Sequence, residues 1–313
     1  MPILSNPYPD ISLVIPIYNE ASGIDTLITR SIHALSRISE SFELICVDDG
    51  STDNGLTNLT HWHEQDDRIK IVVLSRNFGH PAAYTAGMTH AKGKYIALMD
   101  GDLQDPPELL PEMYEQLRNN PLDIVHGKRQ TRAESLPKRL LIHGFHAIFK
   151  RFARIHYPDN VGNFSIFNRK VLNAILALPE THRYLPGLRI WVGFRQGFFS
   201  YQRAEREEGT PKMSTAQLFR LAFDAIFSFS DFPIKMCLYT GLFGIITGIL
   251  GFAYSVISKC LGVAPLGWSS TVFSIYFFGS VQLVFLGVLG EYVYRIYKEI
   301  QKRPLFIVRE FIE

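Results

Sequence analysis

Two long apolar runs, residues 236–257 and 271–294, constrain what this chain can fold into. A bilayer core about 30 Å thick is crossed by roughly twenty apolar helical residues, and both runs reach that length. Between Met236 and Tyr294 the sequence has only two charged residues, Lys259 and Glu291. We therefore predict a hairpin of two membrane-spanning helices over residues 235–297. The alternative is a helical hairpin buried in a water-soluble core.

The charges around these runs predict the orientation of the hairpin. Cytoplasmic ends carry the excess of lysine and arginine. Basic residues lie mostly outside the connector, at Lys235, Arg295, Lys298, Lys302, Arg303 and Arg309, against Lys259 within it. The opening residues, MPILSNPYPD, lack a signal-peptide pattern. We expect a multi-pass protein of the inner (cytoplasmic) membrane, with the N-terminal domain and both termini in the cytoplasm.

Other segments have helical patterns that suit a membrane. Residues 213–234 and 138–156 are amphipathic and predict helices in the membrane interface, or surface and core helices of the soluble domain. Glycines recur at steps of three and four in the first run, at Gly241, Gly244, Gly248 and Gly251. That spacing lets another helix approach closely, within the hairpin or between protomers of a homo-oligomer. Residues 298–313 are interpreted as a cytoplasmic tail.

Residues 1–212 alternate short apolar runs with helical patterns. Strands are predicted at 11–18, 42–47, 69–74, 95–99 and 123–126, and helices at 21–39, 53–64, 80–92 and 108–119. This alternation is typical of an α/β, Rossmann-like domain with a mostly parallel sheet. Ligands of such sheets bind beyond the carboxyl ends of the strands. Two acidic clusters fall there, VDDGSTD (47–53) and DGDLQDPPE (100–108).

The overall composition argues against several classes of protein. The formal net charge of +2 and the absence of a nucleic-acid-binding motif give no reason to expect a nucleic-acid partner. The three cysteines, Cys46, Cys237 and Cys260, have neither a zinc-binding spacing nor the pattern of a disulfide framework. Their number and placement fit a reducing compartment.

Asp100 and Asp102 form the acidic pair with the clearest chemical meaning. They alternate at the end of a predicted strand, so both carboxylates can reach one ion, directly or through water. Mg²⁺ and Mn²⁺ prefer such oxygen ligands. A divalent cation that bridges a diphosphate stabilises the charge that develops as a sugar–phosphate bond breaks. A turn with solvated acids is the alternative.

Four motifs in order resemble a known family: VIPIYNE (14–20), VDDGSTD (47–53), LSRNFGHPAAYTAGM (74–88) and DGDLQDPPE (100–108). The chain resembles the inverting family 2 glycosyltransferases with the GT-A fold. Within them it is similar to the membrane-anchored polyprenyl-phosphate glycosyltransferases, relatives of dolichyl-phosphate mannose synthase and bactoprenol glucosyltransferases. The resemblance extends over nearly the whole chain, including the two apolar runs and the ending KRPLFIVRE.

The resemblance implies roles for individual residues. It implies that Asp100 and Asp102 hold a metal–diphosphate and that Gln104, with Asp105, lies near the sugar or the metal. It implies a nucleotide pocket formed by Pro16, Tyr18, Asn19, Glu20, Asp48, Asp49 and Arg76. Asp53 has a structural alternative, because an acid after a strand often caps the next helix. His80 and His182 are interpreted as solvated or packed histidines and receive no catalytic role.

The acceptor side departs from the family pattern. In VGNFSIFNR (161–169), Asn163 stands where an Asp is usual and Ser165 where an Arg is usual. A lipid monophosphate has a second pKa of about 6 and is therefore already a dianionic nucleophile at cytoplasmic pH, so a catalytic base is not required. Asn163 remains a catalytic candidate. Cationic candidates for the lipid phosphate, with ordinary surface charge as the alternative, are Lys128, Arg129, Arg132, Arg203, Arg206 and Lys212.

The function that the resemblance implies is transfer of a hexose, with inversion, to polyprenyl (undecaprenyl) phosphate. The expected donor is UDP-glucose or a UDP-N-acetylhexosamine, and the expected cofactor is Mg²⁺ or Mn²⁺. The product would be a lipid-linked sugar donor for cell-surface glycan modification. One alternative is a non-catalytic protein that binds a nucleotide sugar or a lipid carrier. Another is a processive polysaccharide synthase, which would need further spans and a QxxRW element that this sequence lacks.

Overall fold

The computed structural model describes residues 8–130, 160–181, 183–202, 232–261 and 268–313. The chain divides into two compact units: a sheet unit that contains all the strands, and a helical unit formed by the long C-terminal helices. Several predicted features lie outside the described residues, namely Arg132, Arg203, Arg206, Lys212, His182 and the amphipathic segments 138–156 and 213–231.

The sheet unit is an eight-stranded sheet with helices between most of its strands. Its strands are β1 (Ile11–Ile17), β2 (Phe42–Asp48), β3 (Ile69–Leu74), β4 (Tyr95–Leu98), β5 (Ile124–Arg129), β6 (Val161–Asn168), β7 (Gln196–Tyr201) and β8 (Val308–Ile312). Its helices are α1 (Ile24–Ser36), α2 (Gly55–Gln65), α3 (His80–His90), α4 (Leu110–Asn119), α5 (Arg169–Leu176) and α6 (Leu185–Trp191).

The strand order is β7-β5-β6-β4-β1-β2-β3-β8. β4, β1, β2 and β3 are parallel neighbours, whereas β6 is antiparallel to β4 and β5, and β8 is antiparallel to β3. β7 is parallel to β5. Six of the eight strands therefore run in one direction, which confirms the predicted mostly parallel α/β sheet. The carboxyl ends of β1 to β4 meet at one edge, which we call the acidic edge.

Burial explains why the central strands were readable from sequence. Every residue of β1 and β2 is buried, as expected for parallel strands that are covered on both faces. α1 covers the sheet with an apolar face that includes Leu27, Ile28 and Leu35. Arg30 of α1 forms a two-pronged ion pair with Glu108, at 2.7 Å, just before α4. This contact holds the segment that follows the second acidic cluster.

β8 is one of the strands that the sequence did not predict, and it corrects the interpretation of the C-terminal residues. Residues 298–313 were interpreted as a tail, but the last long helix extends to Ile300, and Val308–Ile312 joins the sheet beside β3. Ile71 pairs with Ile312, and the Ser75 amide donates to the carbonyl of Ile307 at 2.9 Å. The segment is short, and its partner lies far away in the sequence, so no local pattern marks it as a strand.

The helical unit contains α7 (Phe232–Cys260) and α8 (Trp268–Ile300). In the described part of the chain, one stretch, Phe277–Ile300, has the length and hydropathy of a membrane span, and Tyr239–Gly251 is apolar but shorter. The predicted hairpin of two spans therefore stays a prediction. Gly241 and Gly244 face α8, because a Cβ at either position would lie 3.6 Å from a phenylalanine ring of that helix. A Cβ at that distance makes an ordinary van der Waals contact, so neither position requires glycine for the two helices to pack.

Candidate active site

The loops after β1 and β2 are tied together at the acidic edge. Asn19, in the left-handed region at φ 52°, accepts from the Thr52 amide at 2.9 Å, while its own amide donates to Ser51. Asp53 accepts from the amides of Ala21 and Gly55 at 2.9 and 3.0 Å. Asp53 therefore has the structural role that was the alternative for it: its carboxylate joins the two loops and supports the start of α2.

Asp48 and Asp49, at the end of β2, are buried at 2% and 3% exposure. Asp49 accepts from the amides of Phe78 and Gly79 at 2.8 and 2.9 Å. Burial raises the pKa of Asp49, although these two hydrogen bonds oppose the shift. Asp48 accepts from the Ser51 amide at 3.2 Å. Both acids therefore shape the loops around them, whatever further contacts they make with a ligand.

Gly50 explains why the loop after β2 can approach the loop after β3. Its φ is +71°, and a Cβ there would lie 2.7 Å from the backbone of Arg76 and Asn77. Only glycine avoids both the left-handed strain and the collision. The Arg76 guanidinium in turn lies over the Phe78 ring, with 4.5 Å to the centroid. The loops after β1, β2 and β3 consequently form one connected surface.

Asp100 lies at the centre of the acidic edge, just after β4, with 17% of its side chain exposed. The Tyr84 hydroxyl donates to its Oδ1 at 2.7 Å, and His80 Nε2 lies 3.1 Å from the same atom. Arg129 lies 3.9 Å from Oδ2. Burial by itself raises the pKa of Asp100, but the hydrogen bonds of His80 and Tyr84 and the nearby positive charge outweigh it. The pKa of Asp100 is therefore well below its usual range, and the carboxylate is ionised at neutral pH.

Asp105, the last acid of the same turn, is fully buried. It accepts from the Tyr201 hydroxyl at 2.5 Å and from Arg129 at 3.3 Å. Arg129 Nε also donates to the Tyr201 oxygen at 3.2 Å. Burial lowers the pKa of Arg129, but the charge of Asp105 more than compensates and keeps the guanidinium charged. This network links β5 and β7 to the turn that carries Asp100.

Between these acids the backbone turns sharply. Leu103 is in the left-handed region at φ 56°, yet its side chain packs into the core at 9% exposure. A bulky residue in this conformation stores strain, which persists only where the surroundings enforce it. The turn leaves Asp102 and Gln104 half-buried, and the Gln104 amide donates to Asp102 Oδ1 at 3.3 Å.

β6 brings Asn163 to Asp100 from the other side. The Asn163 side-chain nitrogen lies 3.5 Å from Asp100 Oδ1 and 3.5 Å from His80 Nδ1. Next to it, Gly162 packs on Arg129, since a Cβ at Gly162 would lie 2.7 Å from a guanidinium nitrogen. Asp100, Asn163 and Arg129, which are far apart in the sequence, therefore form one cluster.

The side chains near Asp100 can be compared with those that bind divalent metals in proteins. In the part of the chain that the structure describes, no three His, Cys, Asp or Glu side chains group as a complete metal site. Asp100 and Asp102 are carboxylates on either side of a single glycine. Such a pair fits a divalent cation that takes its remaining ligands from a diphosphate and water, because Mg²⁺ is usually held by one or two carboxylates with substrate phosphates.

The other predicted residues have different surroundings. Tyr18 is 40% exposed, beside Asn19 and Glu20 at the end of β1. Pro16 is buried within β1, and its carbonyl oxygen would lie 2.9 Å from a Cβ placed on Gly101. Lys128 is exposed on β5, whereas its neighbour Arg129 is held by Asp105 and Tyr201. Lys128 and Arg129 were predicted to bind the lipid phosphate together, but Lys128 faces solvent whereas Arg129 lies in the network of Asp105 and Tyr201.

Two residues of the cluster were missed from sequence. His80 was interpreted as solvated or packed, yet it contacts Asp100, and Tyr84, one helical turn later, donates to the same oxygen. The two rings make an edge contact with 4.8 Å between centroids. His80 begins α3 directly after the loop that carries Arg76. That position, after the carboxyl end of the parallel strand β3, was the signal that could have identified it.

Comparison with known proteins agrees with this geometry. Residues 12–176 match the family described as glycosyl transferase family 2, and the chain belongs to that family. A Synechocystis sp. protein named only as an uncharacterized glycosyltransferase is 40% identical, over 96% of this chain and 95% of its own length. The SfII prophage-derived bactoprenol glucosyl transferase of Shigella flexneri is 33% identical, over 96% and 97%.

Among solved structures, the mannosyltransferase PcManGT of Pyrobaculum calidifontis, in complex with GDP-Man and Mn²⁺, is 16% identical. The alignment covers 92% of this chain and 90% of that one, with a TM-score of 0.47. The family match and the mixed sheet together confirm the Rossmann-like, GT-A type of domain that the sequence predicted, and the protein is a glycosyltransferase.

Proposed function

We propose that this glycosyltransferase moves glucose from UDP-glucose to polyprenyl phosphate, with inversion at the anomeric carbon. The observation that carries the proposal is the similarity, over nearly its full length, to a bactoprenol glucosyl transferase. The similarity spans the acidic edge as well as the C-terminal helices. A UDP-N-acetylhexosamine is the second donor to test, because no contact described above separates the two sugars.

The donor would bind with its diphosphate at Asp100 and Asp102. A divalent cation bound there would stabilise the negative charge of the departing diphosphate. The chain's own contribution is to keep Asp100 ionised and fixed, through Tyr84 and His80. Asp102 and Gln104 follow on the same turn. A turn held this rigidly needs no reorganisation while charge develops, which is how a preorganised polar site accelerates a reaction.

The nucleoside would lie along the loops after β1, β2 and β3. Tyr18, Asn19 and Glu20 line the end of β1, while Asp48 and Asp49 set the shape of the neighbouring loop. Exposed Arg76 lies at the rim, against Phe78. Carboxylate and amide oxygens of this kind can accept hydrogen bonds from a ribose diol or a base N–H.

The acceptor would need no catalytic base. Asn163, the residue nearest Asp100 on β6, carries an amide that cannot accept a proton at neutral pH. A lipid monophosphate is largely dianionic at that pH and would attack the anomeric carbon directly. A single in-line displacement inverts that centre. The rate would then depend on positioning and on neutralising charge, to which Lys128, Arg129, Arg132, Arg203, Arg206 and Lys212 are proposed to contribute.

Membrane attachment would bring the lipid phosphate to the site. Along Phe277–Ile300 most of the described apolar side chains are exposed, with Leu283 and Ile300 each at 70%. Exposed apolar surface on this scale marks a membrane or protein contact. We propose that α7 and α8 anchor the chain in the cytoplasmic membrane, as a polyprenyl acceptor requires.

A donor and acceptor panel tests the proposal. The full chain, purified in detergent with Mg²⁺ or Mn²⁺, is incubated with radiolabelled UDP-glucose or UDP-N-acetylglucosamine and undecaprenyl phosphate, and the lipid is extracted. We expect labelled lipid only with the phosphorylated carrier, and UDP release that rises when it is present. UDP-sugar binding without transfer would instead identify a non-catalytic protein, and long polymeric products would identify a processive synthase.

A further inference from the structure

Arg189, on α6, is a buried cation that the mechanism above does not use. It is fully buried and is among the largest side chains with no exposure. Its guanidinium donates to the carbonyl of Asn163 at 2.6 Å and to the hydroxyl of Ser165 at 2.5 Å. It also donates to the carbonyl of Gly162 through a 2.5 Å contact. All three acceptors belong to one short segment of β6.

That segment lies where the sheet is irregular. The pairing of β4 with β6 ends at Leu98 and Ser165. On the other side, the register between β5 and β6 shifts between His126 and Lys128. Residues 162–164 therefore lie between regular ladder contacts, where backbone carbonyls need other partners. Arg189 supplies such partners at two consecutive residues.

The opposite side of the same segment faces the acidic edge. The Asn163 amide nitrogen lies 3.5 Å from Asp100, and Gly162 packs on the Arg129 guanidinium. A shift of the Gly162–Asn163 backbone would therefore move groups that contact both Asp100 and Arg129. Arg189 therefore contacts one side of residues 162–165, and the cluster around Asp100 lies on the other side.

We propose that Arg189, seated on Ser165, is a positioning residue for sugar transfer. It fixes the irregular segment of β6 so that Asn163 and Arg129 keep their places around Asp100. The inference rests on the proposed function for the identity of the substrates. Ser165 takes part in the same arrangement, because its small side chain leaves room for the Arg189 guanidinium. Its hydroxyl accepts a hydrogen bond from Arg189 and donates one to the Asn163 carbonyl at 3.0 Å.

The energetics favour a role beyond packing. Burying a guanidinium is costly, and well-packed apolar side chains often give equal or greater stability at such positions. What an apolar residue cannot supply is a fork of donors that fixes carbonyl oxygens at chosen positions. Such a fork is useful where a displacement of about 1 Å in the site costs on the order of 100-fold in rate.

The test compares four variants of the full chain, Arg189→Met, Arg189→Lys, Ser165→Ala and Arg183→Met. Arg183 is a matched control, 8% exposed, whose guanidinium donates to the carbonyls of Leu178 and Glu180. For each variant, kcat, the KM of each substrate and the thermal midpoint are measured. The slow release of UDP from UDP-glucose without lipid is followed as well.

We expect Arg189→Met to lower kcat by about 10- to 100-fold, with the KM for UDP-glucose within about 3-fold of the wild type. Arg189→Lys should recover part of the loss, and Ser165→Ala should lower kcat by about 3- to 10-fold. Arg183→Met should lower the thermal midpoint and leave kcat unchanged at a temperature where it is folded. The lipid-independent release of UDP should fall in parallel with transfer.

Two results would overturn the inference. One is an Arg189→Met protein that, like Arg183→Met, loses stability but keeps its kcat. The other, decisive if Arg189→Met does not fold, is a Ser165→Ala protein with wild-type kcat. Failure of the proposed function has a different signature: the wild type itself would give no labelled lipid. Lipid-independent UDP release would then still report whether Arg189 positions the donor site.

Discussion

The two edges of the sheet both carry buried acids paired with cations, but they are built differently. At the acidic edge, Asp100 keeps 17% of its side chain exposed and meets Tyr84, His80 and Arg129. At the opposite edge, where β2, β3 and β4 begin, Glu43 is 2% exposed. Similar residue types thus produce one open cluster and one closed cluster.

Glu43 is enclosed by groups that stabilise the fold. The Ser12 hydroxyl and the Lys92 amide each donate to its Oε1 at 2.6 Å, and Lys70 lies 3.1 Å from its Oε2. Lys70 and Lys92 also reach Glu313, which follows β8. This cluster holds the C-terminal strand β8 against β3.

The difference separates an acid that serves stability from an acid that serves chemistry. The Glu43 cluster lies at the starts of regular strands and uses its oxygens internally. Asp100 itself begins the turn that contains left-handed Leu103. Strain of this kind concentrates at functional sites. Charge alone would not distinguish the two clusters, whereas loop geometry and residual exposure do.

The sharpest test of this contrast is Asp100→Asn. We expect sugar transfer to fall by on the order of 100- to 1,000-fold, because an amide of the same shape cannot supply the ionised oxygen that the donor site needs. The thermal midpoint should change by only a few degrees. Asp66→Asn is the control, because it alters a carboxylate of similar exposure, 18%, that pairs with Arg68 just before β3. Transfer within about 3-fold of wild type would contradict the role of Asp100.

Glu43→Gln should give the reverse result. It weakens the pairing of a buried acceptor with Lys70, so we expect the free energy of unfolding to fall by about 1–3 kcal/mol with kcat unchanged. Denaturant unfolding of the full chain in detergent measures the first quantity. Glu310→Gln, at an exposed position on β8, is the matched control. A large loss of activity in the folded Glu43→Gln protein would erase the contrast.

His126, on β5 between the two edges, should make the stability of the fold depend on pH. Burial, with the charge of Arg189, lowers the pKa of His126 from 6.5 to about 3. As pH falls below 6.5, His126 becomes protonated in the unfolded chain but stays neutral in the folded chain. The free energy of unfolding therefore decreases toward acid pH. The slope is at most about 1.4 kcal/mol per pH unit.

Comparison with His126→Phe isolates this contribution. The variant should keep the stacking on Phe198, whose ring centroid lies 5.5 Å away, and should show a shallower loss of stability between about pH 6.5 and 4. Thermal midpoints measured across that range check it. Parallel curves for the two proteins would mean that His126 does not control the acid response.

The smallest expected effect concerns the fastening of β8. Hydrogen bonds from Lys92 and Lys70 lower the pKa of Glu313 to about 2. The stabilisation is therefore present above about pH 4.5 and is lost as pH falls toward 2. Because the Glu313 side chain is 45% exposed, solvent screens the pairs, and Glu313→Gln should cost less than about 1 kcal/mol. High salt should remove the difference from wild type; a difference that persists would point to packing.

The parts of the fold that were predictable share a local cause. β1, β2 and β3 are continuous apolar runs because both faces of a parallel sheet are buried, and their predicted bounds agree with the structure to within a residue or so. β6, β7 and β8 were not predicted. They are mixed in composition or short, and their partners are distant in the sequence, so the signal that defines them is not local.

The same reasoning applies to the site. Asp100 and Asp102 were identified by spacing at a strand end, and the structure places them there. Arg129 was predicted to receive a lipid phosphate, yet its partners are Asp105 and Tyr201, with Asp100 3.9 Å away. His80 could have been identified from its position after a strand end, whereas Tyr84 and Arg189 carry no local mark of their roles, because their contacts are with strands and turns far along the chain.

The sequence alone determined the α/β class, the edge at which the acids gather and the presence of long apolar helices. These features follow from where apolar residues stand in the sequence, either in continuous runs or at helical spacing, and both patterns are local. Only the tertiary structure decided that His80 meets Asp100, that Arg189 supports Asn163 and that β8 joins β3. Such contacts depend on strand order and register, which are set by the packing of the whole unit and leave no local pattern.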